Sequence, residues 1–261
     1  MSLKYAVYEA DEALEVGLLD EESGSLKRLN LTSEQAALGV LAVIELEQAG
    51  KPPEPDGVQR KLSEVRLLAP VPRPHRNIFC VGKNYHAHAE EFASSGFDSS
   101  AANGSVPKAP IIFSKVPESV SGPGAPIPLD ERVTQAVDYE AELAVIIGLG
   151  GRAISKEQAL EHVWGYTIVN DVTARDLQGR HSQWLIGKSQ DGFCPMGPCA
   201  VRAEDFNLSD SLVTCRVNGE PRQEASTSQL IFDVPTLIET LSAGITLMPG
   251  DVIATGTPAG V

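Results

Sequence analysis

The feature that most limits what this chain can fold into is a succession of short apolar runs punctuated by glycine and proline. "PIIFSK" (110–115), "YEAELAVIIG" (139–148), "WGYTIVND" (164–171), "CPMGPCAV" (194–201), "LVTCRVNG" (212–219) and "DVIATG" (251–256) are strand-length and end in turn residues. Two stretches interrupt them with helical spacing. One is "SKEQALEHV" (155–163); the other is "DVPTLIETLSAG" (233–244), with Asp233 as cap and Gly244 as stop. The pattern predicts a mostly β chain with a few helices (α+β). Ahead of it, residues 1–70 read as a small α/β module. Strands at 3–10, 14–20 and 25–31 lead into a helix over 32–50, opened by a Thr32–Gln35 capping box and stopped by Gly50. "KPPEPDG" (51–57) then reads as a proline-rich break, and the main domain covers 74–261.

Within that domain one run carries charge where a buried strand should not. In "VDYEAELAVIIG" (137–148), strand alternation puts Asp138, Glu140 and Glu142 on one face, and that face continues as Ala144 and Ile146. The acids therefore enter a core. Two carboxylates about 4–5 Å apart repel by roughly 4 kcal/mol at an effective dielectric near 20, so a cation is needed nearby. Asp171, at the mouth of the apolar run "WGYTIVND", supplies a third acid. An all-oxygen set without Cys or His suits a hard ion, Mg2+ first, with Mn2+ or Ca2+ as alternatives. An acidic strand end facing solvent is the plain alternative.

Other groups bear on chemistry. In "GKNYHAHAEEF", read as a short helix or lid, His88 and Glu91 share a helical face as a general-base pair, and His86 with Glu90 competes for that role. "TARDLQGRHSQWLIGKSQDGF" adds Arg175, Gln178 and Lys188, the last suited to a substrate carboxylate or an enolate. Residues 97–110, rich in Ser, Gly, Asn and Pro, read as a mobile surface loop. The four cysteines have no zinc or redox spacing and read as reduced, buried thiols of a cytoplasmic protein. A net charge of −14 with no basic stripe argues against nucleic acid, and no apolar run is long enough for a membrane span.

"VGKNYHAHAEE", "DYEAELAVIIG", "GYTIVNDVTARDLQ", "GKSQDGFCPMGP" and "PGDVIATGTPAGV" occur in the order and spacing of the fumarylacetoacetate hydrolase family. The resemblance covers nearly all of 74–261, and residues 1–70 resemble the small variable domain of bacterial members. It implies a mixed β-sandwich roll, a homodimer, and a Mg2+ or Mn2+ site held by Glu140, Glu142 and Asp171. It also implies a His88–Glu91 dyad on a lid and a catalytic, substrate-binding Lys188. Arg175, Gln178 and Thr257 follow as further substrate contacts; Asp138 is given no role. The segment from Glu91 to Pro110 is longer than in compact members. The ending "GTPAGV" lacks the further turn and strand pair expected there, so the C-terminal end reads as incomplete.

The activity this implies is metal-dependent hydrolysis of a C–C bond in a β-diketo acid of the acylpyruvate or fumarylpyruvate type. His88 would activate water, and an enolate would leave toward Lys188. The same parts serve an isomerase of the 2-hydroxyhepta-2,4-diene-1,7-dioate type, as in aromatic catabolism, or an oxaloacetate-type decarboxylase. Fold does not choose among them. A non-catalytic metal- or ligand-binding module is the alternative of another class.

Overall fold

The computed structural model describes residues 2–94 and 106–261; residues 97–105 of the loop read from sequence lie outside them. The strands read in 1–31 form as β1 (Lys4–Ala10), β2 (Ala13–Asp20) and β3 (Ser25–Leu29). The Thr32–Gln35 capping box forms too, but the helix does not run through to Gly50. It divides into α1 (Ser33–Ala37) and α2 (Val40–Gln48). Gly39, at φ +64°, makes the break, and a Cβ there would lie 2.3 Å from the Pro70 carbonyl oxygen. That same oxygen accepts the Val40 N–H at 2.9 Å, so the break lets another segment dock on the helix start.

The proline-rich stretch is also more ordered than its composition suggests. Its end opens β4 (Pro55–Lys61), an edge strand on β3, where proline costs no ladder hydrogen bond on the solvent side. Then come β5 (Arg66–Leu68), β6 (Ile78–Gly82), α3 (His86–Ser94), β7 (Ile111–Lys115), β8 (Val120–Ser121), β9 (Val137–Asp138), β10 (Ala141–Ile147) and β11 (Val163–Asn170). The helix expected over 155–163 is instead a turn leading to a 3-10 segment, Ala159–His162. The chain continues with β12 (Thr173–Ala174), α4 (Arg175–Arg180), α5 (Leu185–Lys188), β13 (Cys194–Pro195), β14 (Ala200–Arg202), β15 (Leu212–Val217), β16 (Glu220–Ser226), α6 (Val234–Ser242) and β17 (Val252–Ala254). Asp233 caps α6 as expected, accepting the Thr236 N–H.

The main sheet has the order β4-β3-β2-β1-β14-β11-β10-β17-β6-β7, with β5 also on β1. The β17–β6 pair is parallel and its neighbours are antiparallel, so the sheet is mixed. The ladder runs without interruption from the first 70 residues into the rest through β1 and β14.

β10 is buried along all seven residues, and alternation sends its two faces into two cores. Ala144 and Ile146 pack with Val7, Val40, Val43 and Ile78. Leu143, Val145 and Ile147 pack with Leu237, Ile238 and Leu241 of α6. This double burial fixes the strand's register, because a slip of one residue would exchange the faces. The fixed register is what aims the acids at its start.

Candidate active site

Glu140, Glu142 and Asp171 come together where β10 begins and β11 ends. Antiparallel pairing sets Ala141 opposite Asn170, and the Asp171 N–H donates to the Glu140 carbonyl at 2.8 Å. The three side chains are 4%, 1% and 0% exposed, and each offers an oxygen within 4.8 Å of the others. The solvent-facing reading of these acids is thereby excluded.

Much of the compensating charge comes from side chains. Lys188, on the short helix α5, donates to Glu140 Oε2 (2.7 Å) and Asp171 Oδ2 (2.8 Å). Lys115, the last residue of β7 and fully buried, holds Asp171 Oδ1 at 2.7 Å and the Val172 carbonyl at 3.0 Å. It also donates to the Lys188 carbonyl. Arg175 opens α4 and pairs with Glu140 Oε1 at 2.7 Å. Asp138 takes its Nε and Nη2 at 2.9 Å, and Gln178 Oε1 accepts from Nη1 at 3.1 Å. So Asp138 gains a role the sequence did not give it: it aims the guanidinium.

Two glycines allow the close approaches. A Cβ on Gly187 of α5 would meet the Gln178 nitrogen of α4 at 2.7 Å. Gly256, at φ +106°, brings its N–H to 2.9 Å from Glu142 Oε2, and a Cβ there would meet Asn84 Cβ at 2.7 Å.

Glu142 is the exception in this balance. It accepts that N–H, whereas Lys115, Lys188 and Arg175 place their ion pairs on Asp171, Glu140 and Asp138. Burial, with Asp171 and Glu140 adding to it, pushes its carboxyl well above the ordinary range. For Glu140, burial alone would do the same, but Lys188 and Arg175 outweigh it and the carboxyl is held low. Lys188 is likewise pulled up by Asp171 and Glu140 against the effect of burial. A buried carboxylate with unmet demand for positive charge, beside two others, fits a divalent cation with oxygen ligands.

On α3 the structure separates the two competing pairs. His86 and Glu90 face solvent, whereas His88 is 5% exposed and faces the carboxylates. Burial pushes its imidazole below the ordinary value; Arg175 and Lys188 add to this, and Glu140 and Glu91 oppose it. His88 Nδ1 and Glu91 Oε2 are 3.6 Å apart, beyond a hydrogen bond. Both Glu91 oxygens accept the Gly260 N–H, at 3.1 and 3.2 Å.

One small cavity of about 10 Å³, roughly one water-sized sphere, gathers these groups. Lys83, His88, Glu140, Glu142, Arg175, Gln178, Lys188 and Thr257 line it beside Phe92, Phe113 and Trp184. The Trp184 ring stands edge-on to both phenylalanines, 6.0 and 5.2 Å between centroids, and rests where Gly82 has no Cβ. Thr257 Oγ1 donates to the Ala141 carbonyl at 3.0 Å and accepts from Gln223 at 2.7 Å, which fixes its side chain in the cavity wall.

Lys115 and Lys83 were not singled out from sequence. The signal was there for Lys115, since a charge closing an apolar strand is the pattern that drew attention to Asp171. The Cys80 and Cys194 thiols lie buried behind the site; burial raises both, Cys194 to about 12, and all four cysteines are free.

Residues 77–261 match the sequence family described as fumarylacetoacetate (FAA) hydrolase C-terminal. An oxaloacetate tautomerase of Bacillus subtilis is 54% identical over 201 residues, 77% of this chain and 64% of the relative's length. The chain thus spans under two thirds of the curated relative it matches. A fumarylacetoacetate hydrolase structure from Exiguobacterium antarcticum is 42% identical with a TM-score of 0.81, covering 99% of this chain and 87% of that one. A 2-hydroxyhepta-2,4-diene-1,7-dioate isomerase from Mycobacterium marinum is 32% identical with a TM-score of 0.77, over 99% and 88% of the two chains. The buried acids at the start of β10, the ordered motifs around them and these likenesses agree: the chain belongs to the fumarylacetoacetate hydrolase family.

Proposed function

We propose that this chain is a keto–enol tautomerase acting on a small 2-keto acid of the oxaloacetate kind. The observation that carries this reading is a buried imidazole, His88, and a buried ammonium, Lys188, lining one small cavity with the carboxylates of Glu140 and Glu142. Their surroundings push them to opposite protonation states, which is how a site divides the roles of base and acid partner. Neutral His88 removes a proton from the carbon beside the keto group and returns it to that carbon in the reverse direction. Lys188 offers a donor to the oxygen on which negative charge develops. Arg175, held by Asp138 and Glu140, orients the carboxylate next to the keto group, assisted by Gln178 and Thr257. Phe92, Phe113 and Trp184 keep water from the carbanion.

Glu140, Glu142 and Asp171 would hold a Mg2+ or Mn2+ ion. Bound there, the ion would supply Lewis-acid polarisation of the keto acid.

C–C hydrolysis of an acylpyruvate is the second reading. The likeness to the Exiguobacterium antarcticum hydrolase favours it, and His88 with Glu91 is the pair it would use. The deciding experiment follows the enol absorbance of oxaloacetate, and pyruvate release from acetylpyruvate, with wild type and His88→Ala in Mg2+ or EDTA. Metal-dependent enol loss that falls about 100-fold or more in the variant supports the tautomerase. Rapid pyruvate release with uncatalysed enol decay would replace it with the hydrolase.

A homodimer belongs to the same proposal. Exposed Leu129, Val133, Val137, Leu185 and Ile186 lie on the segments that carry Asp138 and Lys188, and a second copy would cover them. Sedimentation at micromolar concentration tests this; a monomer there would refute it.

A further inference from the structure

Most of β16 is exposed or half-buried, and its one buried residue is a glutamine. The hairpin it belongs to, β15 with β16, is a two-stranded sheet of its own beside the main one. A side chain that turns inward from such a hairpin is ordinarily apolar. Gln223 is instead 2% exposed with an amide whose oxygen and nitrogen both need partners.

Those partners all belong to the framework of the site. Gln223 Oε1 accepts the Ala141 N–H at 3.0 Å, at the residue between Glu140 and Glu142. Its Nε2 donates to Thr257 Oγ1 at 2.7 Å and to the Pro258 carbonyl at 2.8 Å. Ala141 offers a donor there and Pro258 an acceptor, so the amide can sit only one way round.

The arrangement answers a break in the ladder. β17 pairs β10 from Ala144 to Ile146, and the Thr255 N–H still reaches the Leu143 carbonyl at 3.0 Å. Gly256 then turns the chain away at φ +106°. Alternate residues of a strand direct their backbone groups to the same neighbour, so the next β10 residue on that side is Ala141. Its N–H goes to Gln223, and its carbonyl accepts from Thr257 Oγ1 at 3.0 Å. Two side chains thus make the rung that β17 does not reach, at a buried residue where unpaired backbone groups would be costly. Past Thr257 the loop stays against β16, with Gly260 packed on the Arg222 carbonyl and no room for a Cβ between them.

We propose that Gln223 is a positioning residue for the substrate site and acts through Thr257. Thr257 lines the cavity; Gln223 does not, but holds it from behind. Substrate affinity then depends on a side chain supplied by a hairpin outside the main sheet. This rests on reading the cavity as a keto-acid site and names a further residue that sets how tightly that site holds its substrate.

A double-variant cycle on oxaloacetate turnover tests it, with Mg2+-loaded wild type, Gln223→Met, Thr257→Val and the pair. Methionine keeps the length of the side chain and removes its hydrogen bonds. Gln223→Met should raise KM about three- to tenfold, the size expected of one hydrogen bond, with kcat within about twofold of wild type. The pair should stay within about twofold of Thr257→Val alone, because the two residues act as one. If Gln223→Met does not fold, Gln223→Glu takes its place, since it keeps an acceptor for Ala141 and removes the amide donors to Thr257 and Pro258.

An unchanged KM in a folded variant with a lowered melting temperature would show a purely structural role and overturn the assignment. Effects that multiply in the pair would overturn it too, because Gln223 would then act by another route. Absence of oxaloacetate turnover in wild type would overturn the keto-acid reading itself, and the assignment with it.

Discussion

Asp138 shows how one residue can matter without touching the reaction. It meets Arg175 from the side opposite Glu140, so the guanidinium is held between two carboxylates. Removing one of them should loosen the aim of Arg175 without opening the core, since Asp138 is only partly buried. On the proposed function, Asp138→Asn is expected to raise KM for the keto acid several-fold, with kcat changed less and stability within about 1 kcal/mol of wild type. Steady-state kinetics beside a urea melt would check it. Gly256 is the opposite case. Gly256→Ala places a Cβ against Asn84 at a positive φ and moves the N–H that Glu142 accepts. A loss of about 1–3 kcal/mol and weaker Mn2+ binding by calorimetry are expected together. Unchanged metal affinity in a folded variant would remove this N–H from the site's design.

At the scale of elements, the division of the first helix decides how the first 70 residues meet the rest. Gly39→Ala would drive a methyl into the Pro70 carbonyl, and a loss of about 1–3 kcal/mol is expected in denaturant unfolding. The strands of that region carry a pH dependence of their own. Glu15 on β2 is 7% exposed and bonds Arg28 of β3 and Arg60 of β4. Burial would raise its carboxyl, but the two arginines outweigh it and the group ends below its ordinary value. The stabilisation is therefore complete above the ordinary carboxylate range, about pH 4.3, and is lost as the pH falls through the folded value. Glu15→Gln should flatten the acid limb of a melting-temperature profile between about pH 5 and 3, leaving its shape near neutrality unchanged. A variant profile parallel to wild type throughout would show that the trio contributes no pH dependence.

For the whole molecule, the continuous ladder from β4 to β7 and a core shared by Val7, Val40, Ile78 and Ala144 bear on the two-part division read from sequence. Glu47 of α2 adds polar ties, accepting from Trp164 Nε1 at 2.8 Å and from Arg202 Nη1 at 2.5 Å. We expect residues 1–70 and 74–261 to unfold in one calorimetric transition, and two resolved transitions would show them to be separate folding units. On the proposed function, a divalent ion at Glu140, Glu142 and Asp171 would tie β10 to β11 at the centre of that unit. At about 100 times its dissociation constant it should add roughly 2.7 kcal/mol, raising the melting temperature by about 5–10 °C relative to EDTA. No shift with Mg2+ or Mn2+ would argue against an ion site.

The sequence by itself determined the fold class, because short apolar runs with turn residues can satisfy their backbone only as strands. It also pointed to the paired acids, because alternation with period two places Glu140 and Glu142 on one side wherever that strand lies. Asp171 was legible for a related reason: it ends a buried run. What only the tertiary structure decided was which cations answer those acids. Lys115 on β7 lies 56 residues from Asp171, and Lys188 on α5 lies 48 residues from Glu140, so no local period links either cation to the acid it meets. It also decided that His88 and not His86 faces the site, and that the helix breaks at Gly39, since both depend on what packs against the segment. Local periodicity encodes the direction of a side chain relative to its own backbone; the partner at the end of that direction is set by packing across the sheet.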